Sequence, residues 1–243
     1  GSTQTITNGI DLAGKGGMVW AKRRNGISDH RLFDTARGVT KSLQSNTTNA
    51  QDTVTDSLTA FNASGFSVGL DLSYNNETMA SWTFRKQPKF FDVVTWTGDG
   101  TSNRVISHNL GSTPGCILVK RVSGGFGEDW WVYHRSLTAG QNLVLNSTAA
   151  ATSGSIGSPT STTFTISSAA SGNSSGYPYV AYLFAHDAGG FGPTGTDNVI
   201  SCGSYTGNGS TNGPSVTLGW EPQLVLIKSA TLAGEQWSMH DTM

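Results

Sequence analysis

Charge is scarce in this chain. Acidic and basic residues make up 13% of its 243 residues, against roughly 25% in an ordinary globular domain. They nearly cancel, leaving a formal net charge of −1. The densest basic clusters are Lys22-Arg23-Arg24 and Arg85-Lys86, with no basic stripe between them. Nucleic-acid binding requires several phosphates to be neutralised and is not expected. No apolar run approaches the roughly 20 residues of a membrane span, so membrane insertion is not expected either. Cysteine is also sparse, with only Cys116 and Cys202. Both fall where sister segments carry aliphatic residues, so they read as small buried hydrophobes and not as a disulfide framework. Helical periodicity is nearly missing. The segment 32–37 is short, stops at Gly38, and reads as strand by comparison with Trp131-Val132-Tyr133-His134-Arg135, which is rich in aromatic and β-branched residues.

What the chain has in abundance is Gly, Ser, Thr and Asn. Glycine alone contributes 31 residues, well above the usual roughly 7%. Hydroxyls and amides, in place of charges, solvate the surface, a composition suited to short strands joined by many turns. The strands repeat. Gly17-Met18-Val19-Trp20-Ala21-Lys22 returns as Gly115-Cys116-Ile117-Leu118-Val119-Lys120 and again as Gln223-Leu224-Val225-Leu226-Ile227-Lys228. Flanking text matches as well: Thr97-Gly98-Asp99-Gly100 answers Thr206-Gly207-Asn208-Gly209. A period of about 100 residues is too long for a solenoid repeat and close to the size of one small sandwich domain.

The second copy gives the cleanest strand set, at 92–97, 103–108, 116–122, 129–135, 142–146, 162–167 and 179–185. Short strands without helices predict an all-β fold of tandem homologous antiparallel β-sandwich, jelly-roll-like domains. Segment lengths that stay constant between copies mark domain interiors, and lengths that vary mark linkers. On this basis residues 1–88 form a first repeat lacking its leading strand, 89–190 a complete second repeat, and 191–243 a linker and the first half of a third. A half sandwich exposes a core face and open edges. The sequence therefore predicts either a longer polypeptide or completion by a neighbouring copy, with 199–206 of one subunit adding to the first repeat of another.

Phe90-Phe91-Asp92-Val93-Val94-Thr95-Trp96-Thr97-Gly98, Ile106-Ser107-His108-Asn109-Leu110-Gly111 and Pro114-Gly115-Cys116-Ile117-Leu118-Val119-Lys120-Arg121 resemble a recurrent domain of unknown function. Tyr179–Asp187 and Val199–Gly207 carry the same pattern. That domain occurs in tail-fibre-like and other virion structural proteins of marine and cyanobacterial phages. The resemblance covers essentially the whole chain and transfers no catalytic residue. It implies a non-enzymatic virion component, a tail fibre or surface appendage, located on the particle. Self-association or other virion proteins would be its partners, and a host-surface glycan its ligand. The alternative is a carbohydrate-binding or adhesin module of a cellular surface protein, cell-bound or secreted.

Catalytic and metal chemistry find no purchase in the residues. Gly172-Asn173-Ser174-Ser175-Gly176 satisfies the nucleophile-elbow pattern formally but lies in a Ser/Gly loop with no helix after it. One His and one Asp recur near each copy, at His30, His134 and His240, but at offsets that differ, so a partly exposed polar strand end is the better reading. The turn 71–77 holds oxygen donors without EF-hand spacing and reads as turn chemistry. No metal and no cofactor are expected. Aromatics remain as ligand-binding candidates, because sugar rings stack on Trp and Tyr. Those matched between copies (Trp82 with Tyr182, Phe84 with Phe184, Trp96 with Tyr205) are expected to be core. The unmatched ones, Trp130, Tyr177 and Tyr74, are expected to be more exposed and to be the binding candidates.

Overall fold

A computed structural model describes residues 2–71, 77–124, 128–157, 159–169 and 172–242. The chain is almost wholly β. In the first unit β1 (Gln4–Thr7) and the one-turn α1 (Leu12–Lys15) precede β2 (Gly17–Arg23), β3 (Arg31–Asp34), β4 (Lys41–Gln44), β5 (Asp52–Thr53), β6 (Leu58–Asn62), β7 (Gly65–Val68) and β8 (Met79–Arg85). They form a large sheet in the order β5-β4-β3-β2-β8 and a small one in the order β1-β7-β6.

The second unit comprises β9 (Phe91–Thr97), β10 (Arg104–Ser107), β11 (Cys116–Arg121), β12 (Trp131–His134), β13 (Gln141–Val144), β14 (Thr152–Ser153), β15 (Ile156–Gly157), β16 (Thr163–Ile166) and β17 (Pro178–Phe184). Its large sheet runs β14-β13-β12-β11-β17-β9 and its small one β10-β16-β15. All pairings are antiparallel. Strand order and register repeat: Trp20 faces Trp82 in the first unit as Leu118 faces Tyr182 in the second. The one added strand is β9, which pairs with β17 along its full length. The outer edge of β8, its counterpart position, carries no strand among the described residues. Two-residue strands β14 and β15 are too short to leave a pattern in the sequence. A final hairpin, β18 (Leu224–Ile227) with β19 (Ser238–Asp241), repeats the β11–β12 pair.

Residues 198–222 hold no strand. The segment 199–206, which matches β9, has no strand beside it, and Val199 and Tyr205 are 40% and 51% exposed. The expected burial of Tyr205 is therefore overturned: Cys202 of the same segment reaches the shared core, but Tyr205 does not. Trp96, Tyr182 and Phe184 are buried, whereas Trp82 and Phe84 are only partly so.

Each small sheet covers one face of its own large sheet. Leu12, Val19, Ala21, Phe33, Leu58 and Phe66 fill that space in the first unit, and Trp96, Ile117, Val119, Phe164, Tyr179 and Leu183 are part of it in the second. The opposite faces of the two large sheets share a third core. Met18, Trp20, Leu32 and Leu43 of the first unit join Leu118, Val132, Leu143, Val180, Tyr182 and Phe184 of the second, and the hairpin adds Ala230, Trp237 and Met239. Along β17 successive side chains alternate between two cores, Tyr179, Ala181 and Leu183 to one, Val180, Tyr182 and Phe184 to the other. Strands buried on both faces read as continuous apolar runs, which is why β11 and β17 show no polar alternation.

Truncating Leu118, 1% exposed in the shared core, opens a cavity and is expected to cost about 2–5 kcal/mol as Leu118→Ala. Val105→Ala, at a side chain 59% exposed on β10, is expected to stay within about 0.5 kcal/mol of the parent. Urea unfolding of the two variants checks this. Equal losses would mean that the shared core carries no special weight.

Candidate functional site

Two places concentrate polar side chains: the seam between the large sheets, and a cleft at the end of the second unit.

The seam is built around Asp34, which is fully buried at the end of β3. Its Oδ1 accepts from the backbone N–H groups of Ala36 (3.0 Å) and Arg37 (2.8 Å), fixing the turn. Its Oδ2 accepts from Arg37 Nε at 2.5 Å and from the Tyr182 hydroxyl of the other unit at 2.7 Å. Arg37 in turn donates to the Leu32 carbonyl and to the Tyr182 oxygen. Burial pushes the Tyr182 phenol well above its ordinary range, so it stays protonated and able to donate. A buried carboxylate needs this full set of donors, because losing one leaves an uncompensated charge.

Around this triad, three hydrogen bonds join the first unit to the second. Lys120 Nζ donates to the Thr48 carbonyl at 2.9 Å, Trp130 Nε1 to the Gln44 carbonyl at 2.8 Å, and Gln51 N to the Val122 carbonyl at 2.8 Å. The same three recur between the second unit and the final hairpin. Lys228 Nζ donates to Thr148 at 3.3 Å, Trp237 Nε1 to Val144 at 2.9 Å, and Ala151 N to Ala230 at 2.8 Å. Lys120 is 1% exposed. Burial lowers its pKa to about 8 against the pull of Glu128 and Asp129, and the Glu128 carbonyl is its second acceptor.

This arrangement corrects the expectation for Trp130. Its side chain is fully buried, stacked on Tyr182 with ring centroids 6.2 Å apart, and has no face open to a ligand. It was read as unmatched because His30 holds its place in the first unit. The third copy carries the signal that would have placed it: Gly127-Glu128-Asp129-Trp130 returns as Gly234-Glu235-Gln236-Trp237. Tyr177 is 37% exposed. One ring face lies under the Arg121 guanidinium, 4.5 Å from the centroid, and the ring edge packs so closely on Gly124 that a Cβ there would stand 2.3 Å from Cε1. It is a packed surface residue, part covered by a cation that also pairs with Glu128. Tyr74 lies outside the described residues. Trp130, inside the seam, and Tyr177, beside Gly124 at the surface, share no surface.

The two thiols are free, and burial pushes Cys202 up to about 12. Among the described residues no three His, Cys, Asp or Glu side chains gather as a metal site would require. Ser174 donates to the Ala169 carbonyl, and β17 follows its loop where a nucleophile elbow needs a helix.

The cleft, of about 540 Å³, lies where 111–114, the end of β12 and the segment after β17 meet. Lys89, Ser112, Thr113, Tyr133, Arg135 and His186 supply its polar lining. Lys89 sits at φ +66°, in a turn closed by its N–H donating to the Leu110 carbonyl at 2.6 Å. His186 Nδ1 lies 3.2 Å from the Cys202 N–H and 3.3 Å from Asp187 Oδ2. Neither Lys89 nor Arg135 is ion-paired among the described residues. Isolated cations at strand ends read as ordinary solvated residues, so the cleft leaves no signature in the sequence.

Fold and seam together define a protein of tandem β-sandwich units packed through a repeated contact. The chain belongs to the family described as a domain of unknown function, DUF7483, whose model matches residues 1–243. No curated protein and no solved structure shows a significant match to it.

The first unit's counterpart of Trp130 sets a pH dependence. His30 Nδ1 accepts from Trp20 Nε1 at 3.0 Å. Burial, aided by the Lys22 charge and opposed by Asp29, lowers its pKa from 6.5 to about 4. The unfolded chain therefore binds more protons than the folded one in this window. The contribution of His30 is whole above pH 6.5 and is lost as pH falls toward 4. His108 and His134, also lowered chiefly by burial, act in the same direction. His30→Gln, which keeps an acceptor and cannot protonate, is expected to flatten the fall in unfolding free energy between about pH 7 and 5. Denaturant titrations across that range test it, and an unchanged slope would show that His30 is not the titrating group.

Proposed function

We propose that this chain is a non-enzymatic structural component of a phage virion, a tail fibre or surface appendage that also recognises host-surface glycans. The observation that carries the reading is the repeated seam. The same lysine, indole and backbone bonds join unit to unit twice, around a core to which all three contribute. Units locked in this way make a stiff object, the mechanical property an appendage needs, whereas domains joined by linkers alone move freely. The resemblance of 90–98, 106–111 and 114–121 to virion structural domains supports the same assignment. Self-association and other virion proteins are then the partners, and the particle surface is the location. The basic cleft favours a binding role, which an adhesin or carbohydrate-binding module of a cellular surface protein would share.

Position in a particle separates these readings. Mass spectrometry of density-purified virions is expected to find the chain at a fixed ratio to the capsid protein. Immunogold is expected to label the appendages. Recovery of the chain only from a cell envelope, with none in particles, would favour the adhesin.

A further inference from the structure

The cleft in the second unit has a counterpart in the first. Thr35 N donates to the Gly17 carbonyl as Arg135 N donates to that of Gly115, so Thr35 and Arg135 occupy one structural position. The first unit's hollow, about 470 Å³, is lined there by Ala13, Gly16 and Thr35, together with Val39, Ala60 and Phe61. Lys86, at the position of His186, packs its stem against Gly16 there and pairs with Asp92. The fold closes this turn without an arginine, so the turn itself does not require Arg135.

Three observations describe what the second cleft would hold. First, Lys89 and Arg135 line it and no carboxylate does; the Asp187 carboxylate stands behind His186, 3.3 Å from its Nδ1. Second, it presents hydroxyls, those of Thr113 and Tyr133. Third, its volume lies within the roughly 300–1,000 Å³ of small-molecule sites, and the half-buried Tyr133 ring offers an apolar surface beside the polar groups.

We infer that this cleft binds an anionic sugar residue, its carboxylate or sulfate held by Arg135 and Lys89 and its hydroxyls met by Thr113, Tyr133 and the His186 ring. A guanidinium takes an oxyanion through two parallel hydrogen bonds, a geometry a neutral sugar cannot use. The inference rests on the glycan-recognition part of the proposed function and not on the virion location. Particle localisation and sugar binding can therefore fail independently.

Titration of the full chain, followed by amide chemical shifts, tests it. The probes are a galacturonate trimer, its methyl ester, a sulfated disaccharide and inorganic sulfate. Saturable shifts at Ser112, Thr113 and Arg135 are expected with the trimer or the sulfated disaccharide, which also tells carboxylate from sulfate. The methyl ester and inorganic sulfate are expected to bind at least about tenfold more weakly, as the loss of a charge-assisted hydrogen bond or of the hydroxyl contacts implies. Arg135→Gln and Lys89→Gly are each expected to weaken sugar binding about tenfold or more with the unfolding midpoint unchanged. Glycine suits position 89 because the backbone there is left-handed. Shifts of these amides with none of the acidic saccharides, equal affinity for the methyl ester, or full affinity in both variants would each overturn the inference. Inorganic sulfate binding as tightly as the saccharides would reduce the cleft to a general anion site and overturn it as well.

Discussion

The rest of the structure depends on burial of the large sheets on both faces. A single sandwich buries one face of each sheet, and the other face can carry polar residues. Here β17 sends Val180, Tyr182 and Phe184 into a core shared with the neighbouring unit while Tyr179, Ala181 and Leu183 face its own small sheet. Each unit's second face thus requires a neighbour. Fully burying a large apolar side chain is worth about 1.5–3 kcal/mol, so a seam holding Met18, Trp20, Leu32, Leu43 and their partners is a substantial part of what holds this chain together. Separating the units would expose a second core, not a polar interface.

Within that apolar seam, the polar groups set register. An apolar face alone tolerates sliding, but a buried ion pair does not, because displacement strips both Asp34 and Arg37 of Tyr182. The lysine and indole bonds act similarly: the indole reaches a carbonyl at the end of the neighbour's fourth strand and the lysine one in the loop after it, and the buried Lys120 amine has no water to fall back on. Their recurrence at Lys228 and Trp237 shows that the register belongs to the repeat and not to one pair of units.

Much of the fold was legible in the sequence, for identifiable reasons. A lysine closing an apolar hexapeptide three times over revealed the period, and short runs between Gly- and Ser-rich turns revealed antiparallel strands. The all-β assignment follows from those two facts. What escaped was whatever depends on the units' packing against each other. Continuous apolar runs such as Val180-Ala181-Tyr182-Leu183 are consistent with one buried face or two, and only the neighbour decides. Trp130 was misjudged because sorting aromatics by their match between the first two copies assumes that both occupy the same surroundings. The second unit turns its indole toward a carbonyl of the first, and His30 instead bonds within its own unit. Tyr205 was misjudged by the converse error, since matching Trp96 in sequence does not supply the strand that Trp96 leans on. The cleft was invisible because Lys89, Ser112 and Arg135 come from three separate segments and form no motif.

The two sides of the seam are chemically different. One unit offers carbonyls from the end of a strand and the loop after it, and the next offers an ammonium and an indole. A contact of this kind is heterologous: its two surfaces differ, so units joined by it all point the same way. The row of units therefore has a head and a tail. A vectorial object can be anchored by one end and address its target with the other. That asymmetry is already present in the hydrogen bond from Trp130 to Gln44.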